Sequence, residues 1–266
     1  MWLLRIADDG TFSLVDCVGN DSIPYTILSH TWGKDHEEVT FKDLQTGLGA
    51  GKAGYQKIQF CADQTRKDGL RHFWVDTCCI DKTSSAELSE AINSMFRWYQ
   101  NSERCYVYLS DVSFVASGDE KQDFRAWESD FRKSRWFTRG WTLQELIAPK
   151  RVEFFSVEGH RLDDRLALEN TLQKITGIQS EILRGKNSLS QVSVEERFAW
   201  SKHRQTKREE DEAYSLLGIF NVHMTLIYGE GRQKAFRRLR KEIAEEEAYA
   251  QQESSPPTTK WMFQNC

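Results

Sequence analysis

Phe73-Trp-Val-Asp-Thr-Cys-Cys-Ile-Asp81, with Ser84-Ser-Ala-Glu87 and Cys105-Tyr-Val-Tyr-Leu109 behind it, decides the fold. The first run begins as a short apolar strand over 73–77 and continues into a loop carrying Cys78, Cys79 and Asp81. Ser84 and Glu87 have the spacing of a capping box, in which a serine oxygen and a glutamate satisfy the free N–H groups of a helix start. Leu88, Ala91, Ile92, Met95, Phe96 and Tyr99 then recur at helical spacing and mark one apolar face. The third run is again an apolar strand. Strand, helix and strand in this order predict a parallel sheet whose strands are joined by right-handed crossover helices.

The same rhythm extends both ways. Upstream, 25–29 is an apolar strand that runs into His30-Thr-Trp-Gly33, and a helix is predicted over 55–67, stopped by Asp68-Gly69. Between them Gly47, Gly49, Gly51 and Gly54 mark a loop. Trp2-Leu-Leu-Arg-Ile6 and Thr11-Phe-Ser-Leu-Val15 flank Asp9-Gly10, a favoured tight-turn pair, and read as a hairpin. Downstream, 113–123 reads as a polar loop and 152–156 as a fourth core strand. Beyond residue 160 strands become scarce, and helices are expected over 166–175, 194–203, 211–220 and 231–248. The predicted fold is α/β. A parallel sheet over about 25–156 is flanked by helices, with an N-terminal hairpin and a helical extension over about 157–250. Residues 251–266 read as a linker or tail.

The 266 residues carry a net charge of −4, which gives no general attraction for nucleic acid. No run approaches the length of a membrane-spanning helix, and the N-terminus lacks the pattern of a signal peptide. Cys17, Cys61, Cys78, Cys79, Cys105 and Cys266 show no Cys-x-x-Cys spacing, so no disulfide framework and no metal site is expected. These features together predict a reducing, cytoplasmic setting.

Chemistry concentrates in Ser134-Arg-Trp-Phe-Thr-Arg-Gly-Trp-Thr-Leu-Gln-Glu-Leu146. Glu145 is a lone acid among Trp136, Trp141, Leu143 and Leu146. It is either a working carboxylate or, because Thr142-x-x-Glu145 also fits a capping box, a helix cap. In open parallel sheets ligands bind beyond the carboxyl ends of the strands. That places Ser29, His30, Trp32 and Gly33 after one strand, and Asp76 and Cys78 after the next, at a candidate ligand site. His30 is suited to bond a phosphate or ribose and Trp32 to stack on a base, or else both pack a loop that turns at Gly33. Arg135 and Arg139 suit a pyrophosphate, or a salt bridge to Asp76 or Asp81. Cys78 with His30 has the elements of a nucleophile and base, although packing explains both cysteines as well. Gly229-Glu-Gly231 is too short for a phosphate loop.

Ser29–Gly33, Trp74–Asp81, Arg139–Glu145 and Asp211–Phe220, in this order, resemble the fungal heterokaryon-incompatibility (HET) domain over about residues 1–245. The resemblance is nearest to HET domains at the N-terminus of incompatibility receptors that carry a nucleotide-binding domain and WD repeats. It implies a cell-death effector that acts when unlike strains fuse, with such a receptor as a partner. HET domains in turn resemble TIR domains, whose sheet is flavodoxin-like. Catalytic TIR domains cleave NAD with a glutamate in a Trp-x-x-x-Glu-Leu setting, and Trp141–Leu146 fits that setting. The resemblance implies Glu145 as catalytic residue, with Ser29, His30, Trp32, Gly33, Asp76, Cys78, Arg139 and Trp141 around NAD+. It also implies NAD+ as substrate, no tightly bound cofactor, and self-association on activation. The alternative is a non-catalytic module that assembles with its own kind and recruits another executioner.

Overall fold

The computed structural model describes residues 1–17, 23–114 and 120–254, with the side chains of 120–126 and 251–254 left aside. A seven-stranded sheet is built from β1 (Trp2–Ile6), β2 (Phe12–Asp16), β3 (Thr26–His30), β4 (His72–Trp74), β5 (Arg104–Tyr108), β6 (Val152–Phe155) and β7 (Arg161–Asp164). Their spatial order is β2-β1-β4-β3-β5-β6-β7. β4, β3, β5 and β6 run parallel, and β1 and β7 pair antiparallel at either flank. Taken in chain order, the four parallel strands lie 2-1-3-4, which is how a flavodoxin-like sheet begins. The strand order reverses between β3 and β5.

The hairpin forms as expected. Asp9 Oδ1 accepts from the Thr11 amide at 2.9 Å, and Gly10 takes the left-handed φ of 88° that the turn requires. It does not stand apart, since β1 extends the sheet beside β4.

The helices are α1 (Phe41–Thr46), α2 (Tyr55–Lys67), α3 (Ser85–Asn101), α4 (Glu120–Lys133), α5 (Thr142–Ile147), α6 (Glu169–Thr176), α7 (Ser180–Leu183), α8 (Val194–Ala199), α9 (Asp211–Tyr214), α10 (Leu217–Phe220) and α11 (Arg232–Ser254). Strand alternation sorts the sheet's two faces. Thr26 bonds Thr65 of α2 at 2.5 Å, and Tyr108 packs on Phe60 of α2 with ring centroids 5.1 Å apart. Ser29 and Cys105 point the other way, toward α5.

Several sequence expectations are corrected. The strand over 73–77 ends at Trp74, because the Val75 carbonyl accepts from the amides of Cys78 and Cys79 and turns the chain. Ser84 caps α3, but Glu87 accepts from the Asp81 amide at 2.8 Å and so anchors the preceding loop rather than closing a capping box. An unexpected helix, α1, precedes the glycine loop, with Thr40 and Asp43 as its capping box and Gly47 as its C-cap. The polar loop over 113–123 lies partly outside the described residues, and its last four positions open α4. The helix over 211–220 breaks into α9 and α10, and the one over 194–203 ends at Ala199. α11 runs on to Ser254, into the stretch read as a tail.

The C-terminal helices are fixed on α3. The Asn93 side chain bonds both backbone groups of Met224, at 3.0 and 2.9 Å. Gly218 of α10 lies so close to Phe96 that a Cβ there would fall 2.0 Å from the phenylalanine Cβ.

Candidate functional site

The carboxyl ends of β3, β4 and β5 lie together where the strand order reverses. Ser29 is the fourth residue of β3 and is fully buried. Its hydroxyl donates a short hydrogen bond to Glu145 Oε2 and accepts the indole N–H of Trp136 at 2.7 Å. Glu145 sits on α5, 4% exposed. Tyr99 of α3 closes the pocket, its hydroxyl donating to the Leu28 carbonyl at 3.0 Å and lying against the Glu145 carboxyl. The Cys105 thiol faces the Glu145 carbonyl.

Glu145 is not a cap. The N-cap of α5 is Trp141, which makes no capping bond with its side chain. Thr142 spends its hydroxyl on the Trp136 carbonyl at 2.6 Å and the Arg139 carbonyl at 2.9 Å. The capping-box spacing was therefore coincidental. Burial pushes the Glu145 carboxyl up to about 8, helped by the nearby Asp76 charge and opposed by bonds from Ser29 and Tyr99 and by the Arg139 charge. At neutral pH the acid is held mostly protonated.

A second polar group lies at the same edge. His30 Nε2 is 3.7 Å from Asp76 Oδ1, too long for a hydrogen bond. Neither His30 ring nitrogen nor Asp76 Oδ1 has a hydrogen-bond partner among the described residues. Burial holds the imidazole well below its usual range, with Lys57, Lys82 and Arg139 adding to the effect, so His30 is neutral. Buried polar atoms left unpaired cost about 1–3 kcal/mol each, and such exceptions mark candidate functional sites. Asp76 is 19% exposed at its side chain and is the reachable carboxyl of the group. Burial raises it above the usual range as well.

The remaining predicted residues divide. Trp32 donates its indole N–H to Asp76 Oδ2 at 2.8 Å and belongs to the group. The Lys82 ammonium lies over one face of its ring, 3.9 Å from the centroid. Gly33 is a backbone device. Its amide donates to Glu38 Oε1 at 2.6 Å, and a Cβ would come within 2.8 Å of Glu37 Oε2. Cys78 is fully buried with its thiol toward the Val75 carbonyl, and burial pushes its pKa well up, so it forms no nucleophilic pair with His30.

Arg135 pairs with Asp111 at 3.8 Å, on the exposed side. Arg139 forms no ion pair with Asp76, Asp81 or any other carboxylate among the described residues, so the salt bridge read as its alternative role is absent. Trp141 turns away, toward Asp211, whose carboxyl also accepts from Tyr228 at 3.0 Å. Tyr99, Trp136 and Arg204 are the members that sequence reading missed. Tyr99 was legible only as part of an apolar stripe. Trp136 was visible in the Trp/Arg-rich stretch, with nothing to show that its indole reaches Ser29. No local signal marked Arg204, whose guanidinium donates to Thr142 Oγ1 at 2.8 Å and to the Arg139 carbonyl at 2.9 Å.

Fold and site together define an α/β protein with a polar, partly unsatisfied cluster at the switch point of a parallel sheet. Residues 25–125 match the family described as Heterokaryon incompatibility protein (HET). The chain is also 59% identical over 227 residues to the Vegetative incompatibility protein HET-E-1 of Podospora anserina. That match takes in 84% of this chain and 16% of the relative, so the chain spans about a sixth of that protein's length. The chain belongs to the HET-domain family. No solved structure matches it. No helix among the described residues is long and apolar enough to cross a membrane.

Proposed function

We propose that this chain is a cytoplasmic cell-death effector of vegetative incompatibility that hydrolyses NAD+ at the nicotinamide–ribose bond, with Glu145 as the catalytic carboxylate. One observation carries the reading. Glu145 is a buried acid at the sheet's switch point that does not cap its helix and is oriented by Ser29. The fit of Trp141–Leu146 to the TIR setting and the 2-1-3-4 strand order support it.

The C1′–nitrogen bond breaks with its electron pair passing to the nicotinamide nitrogen, which leaves neutral. The ribosyl group becomes oxocarbenium-like, as in glycoside hydrolysis, and ionised Glu145 stabilises that charge. A water oxygen then bonds C1′ and releases a proton. Approach of the cationic pyridinium lowers the Glu145 pKa and favours the carboxylate. In this reading Asp76 and His30 accept or donate at the ribose, and Arg139 binds the pyrophosphate. Self-association, or contact with a nucleotide-binding WD-repeat receptor, opens the ring of Ser29, Trp136 and Tyr99 to substrate.

The enclosure of Glu145, at 4% exposure, favours the second reading, a non-catalytic assembly module. The deciding experiment follows nicotinamide release from NAD+ at high and at artificially clustered protein concentration, with Glu145→Gln in parallel. Release by the wild type alone supports hydrolysis. No release in the clustered state transfers the function to the assembly module.

A further inference from the structure

A cavity of about 740 Å³ opens beside the loop before α5, between the segment 198–204, the start of α9 and the first half of α11. It is markedly cationic. Lys202, Arg204, Arg232, Arg237 and Arg240 line it, and Glu212 is the one carboxylate among the lining residues. Glu212 is already bonded to Arg232 at 2.5 Å. The other four cations form no ion pair among the described residues. Converging like charges repel one another and destabilise the free protein, which an anion in the cavity would reverse.

Arg204 gives this cavity a built floor. It is 7% exposed, and its guanidinium is held in place by the Trp200, Arg139 and Thr142 oxygens. Those acceptors are neutral. Burial lowers the Arg204 pKa to about 10, so it stays charged at neutral pH. The acid whose charge opposes that shift is Glu145, which burial keeps mostly protonated. A buried cation facing a cavity without a counter-ion is the costly arrangement that a bound anion relieves. Two aromatic rings complete the lining. Phe198 carries the Arg240 guanidinium 4.5 Å from its centroid, and Phe236 carries that of Arg232 at 5.0 Å. Stacking on rings orders guanidinium planes, and guanidinium forks suit phosphate oxygens. The volume lies within the range of about 300–1,000 Å³ typical of small-molecule sites.

We propose that this cleft binds a small ligand bearing a polyphosphate group, with buried Arg204 as its floor, Arg240 held on the Phe198 ring, and Lys202 and Arg237 as exposed contacts. The proposal does not rest on the chemistry assigned to Glu145, although Arg204 links the cleft to Arg139 and Thr142 beside that residue. A ligand here contacts the loop before α5 through Arg204 and does not touch the sheet edge.

The test is calorimetric titration of the whole chain with inorganic tripolyphosphate and, separately, with ATP. Wild type is compared with Lys202→Ala/Arg237→Ala, which removes two exposed cations that make no ion pair. Lys174→Ala/Lys186→Ala removes the same charge elsewhere on the surface. Saturable binding with a stoichiometry near one, weakened about tenfold or more by the cleft variant and little by the control, supports the site. Tighter binding of ATP than of tripolyphosphate assigns part of the affinity to the nucleoside, and equal binding assigns it to the phosphates alone. Absence of saturable binding at low salt overturns the proposal. So does equal weakening by both double variants, which is the mark of diffuse electrostatics. Thermal melts of each variant verify that the fold is retained.

Discussion

Ser29 and Glu145, 116 positions apart, are joined by one hydrogen bond in which the serine donates to the carboxyl at the end of the central parallel strand. The bond fixes which way the acid points, and the Trp136 indole fixes the serine in turn. Removing the hydroxyl by Ser29→Ala strands both a buried carboxyl and a buried indole N–H. The expected loss is about 2 kcal/mol of unfolding free energy at neutral pH. Urea melts check it. A loss within error of zero would mean that the two groups find other partners.

The Glu145 pKa makes stability depend on pH with a definite sign. The group's ordinary value is 4.5 and burial raises it to about 8 in the folded chain. Below pH 4.5 both states hold the proton and its contribution is fully present. Between 4.5 and 8 the unfolded chain releases the proton and the folded one keeps it, so stability falls as pH rises, and above 8 it levels off. Asp76 and Asp211, both raised by burial, slope the same way. His30, held low, slopes oppositely below its ordinary value of 6.5. Glu145→Gln is therefore expected to fold and to flatten the decline between pH 6.5 and 8.5, measured as urea midpoints. A decline as steep as that of the wild type would place its origin elsewhere.

The parallel core was readable because apolar runs, a capping serine and a helical stripe all pointed to one crossover unit. α3 joins β4 to β5, which are parallel but lie on either side of β3 rather than side by side. Elements too short for periodicity were not readable. α1 is six residues long and β7 four, and neither carries an apolar rhythm. Glu145 was identifiable as unusual from composition alone. Its freedom from capping was not, because Thr142 could be excluded as a cap only once its hydroxyl was seen on the Trp136 and Arg139 carbonyls. Arg204 shows the limit of local reading. Its meaning arises from a contact across 62 positions, which no spacing rule encodes.

Gly218 tests how the helical extension is held. A Cβ at this position would lie 2.0 Å from Phe96 Cβ and 2.4 Å from Cγ, and neither atom is the far end of a flexible side chain. Gly218→Ala must therefore push α10 off α3, a cost of about 1–3 kcal/mol for overpacking. Gly51→Ala is the contrast, since a Cβ there meets nothing within 4 Å. Thermal denaturation should show a clear drop for the first and little change for the second. Equal stability of both would show that the α3–α10 contact is looser than its geometry.

The thiols supply the last prediction. Cys61, Cys78, Cys79 and Cys105 are buried and unpaired, and burial pushes the Cys61, Cys78 and Cys105 pKa values upward. Reactivity needs both access and thiolate, and these three lack both. In native protein all four should react with iodoacetamide far more slowly than in urea, as read by mass spectrometry of the labelled peptides. Whatever activity the chain shows should survive that native treatment. Rapid labelling of Cys78 together with loss of activity would restore the cysteine–histidine mechanism and remove Glu145 from the centre of the chemistry.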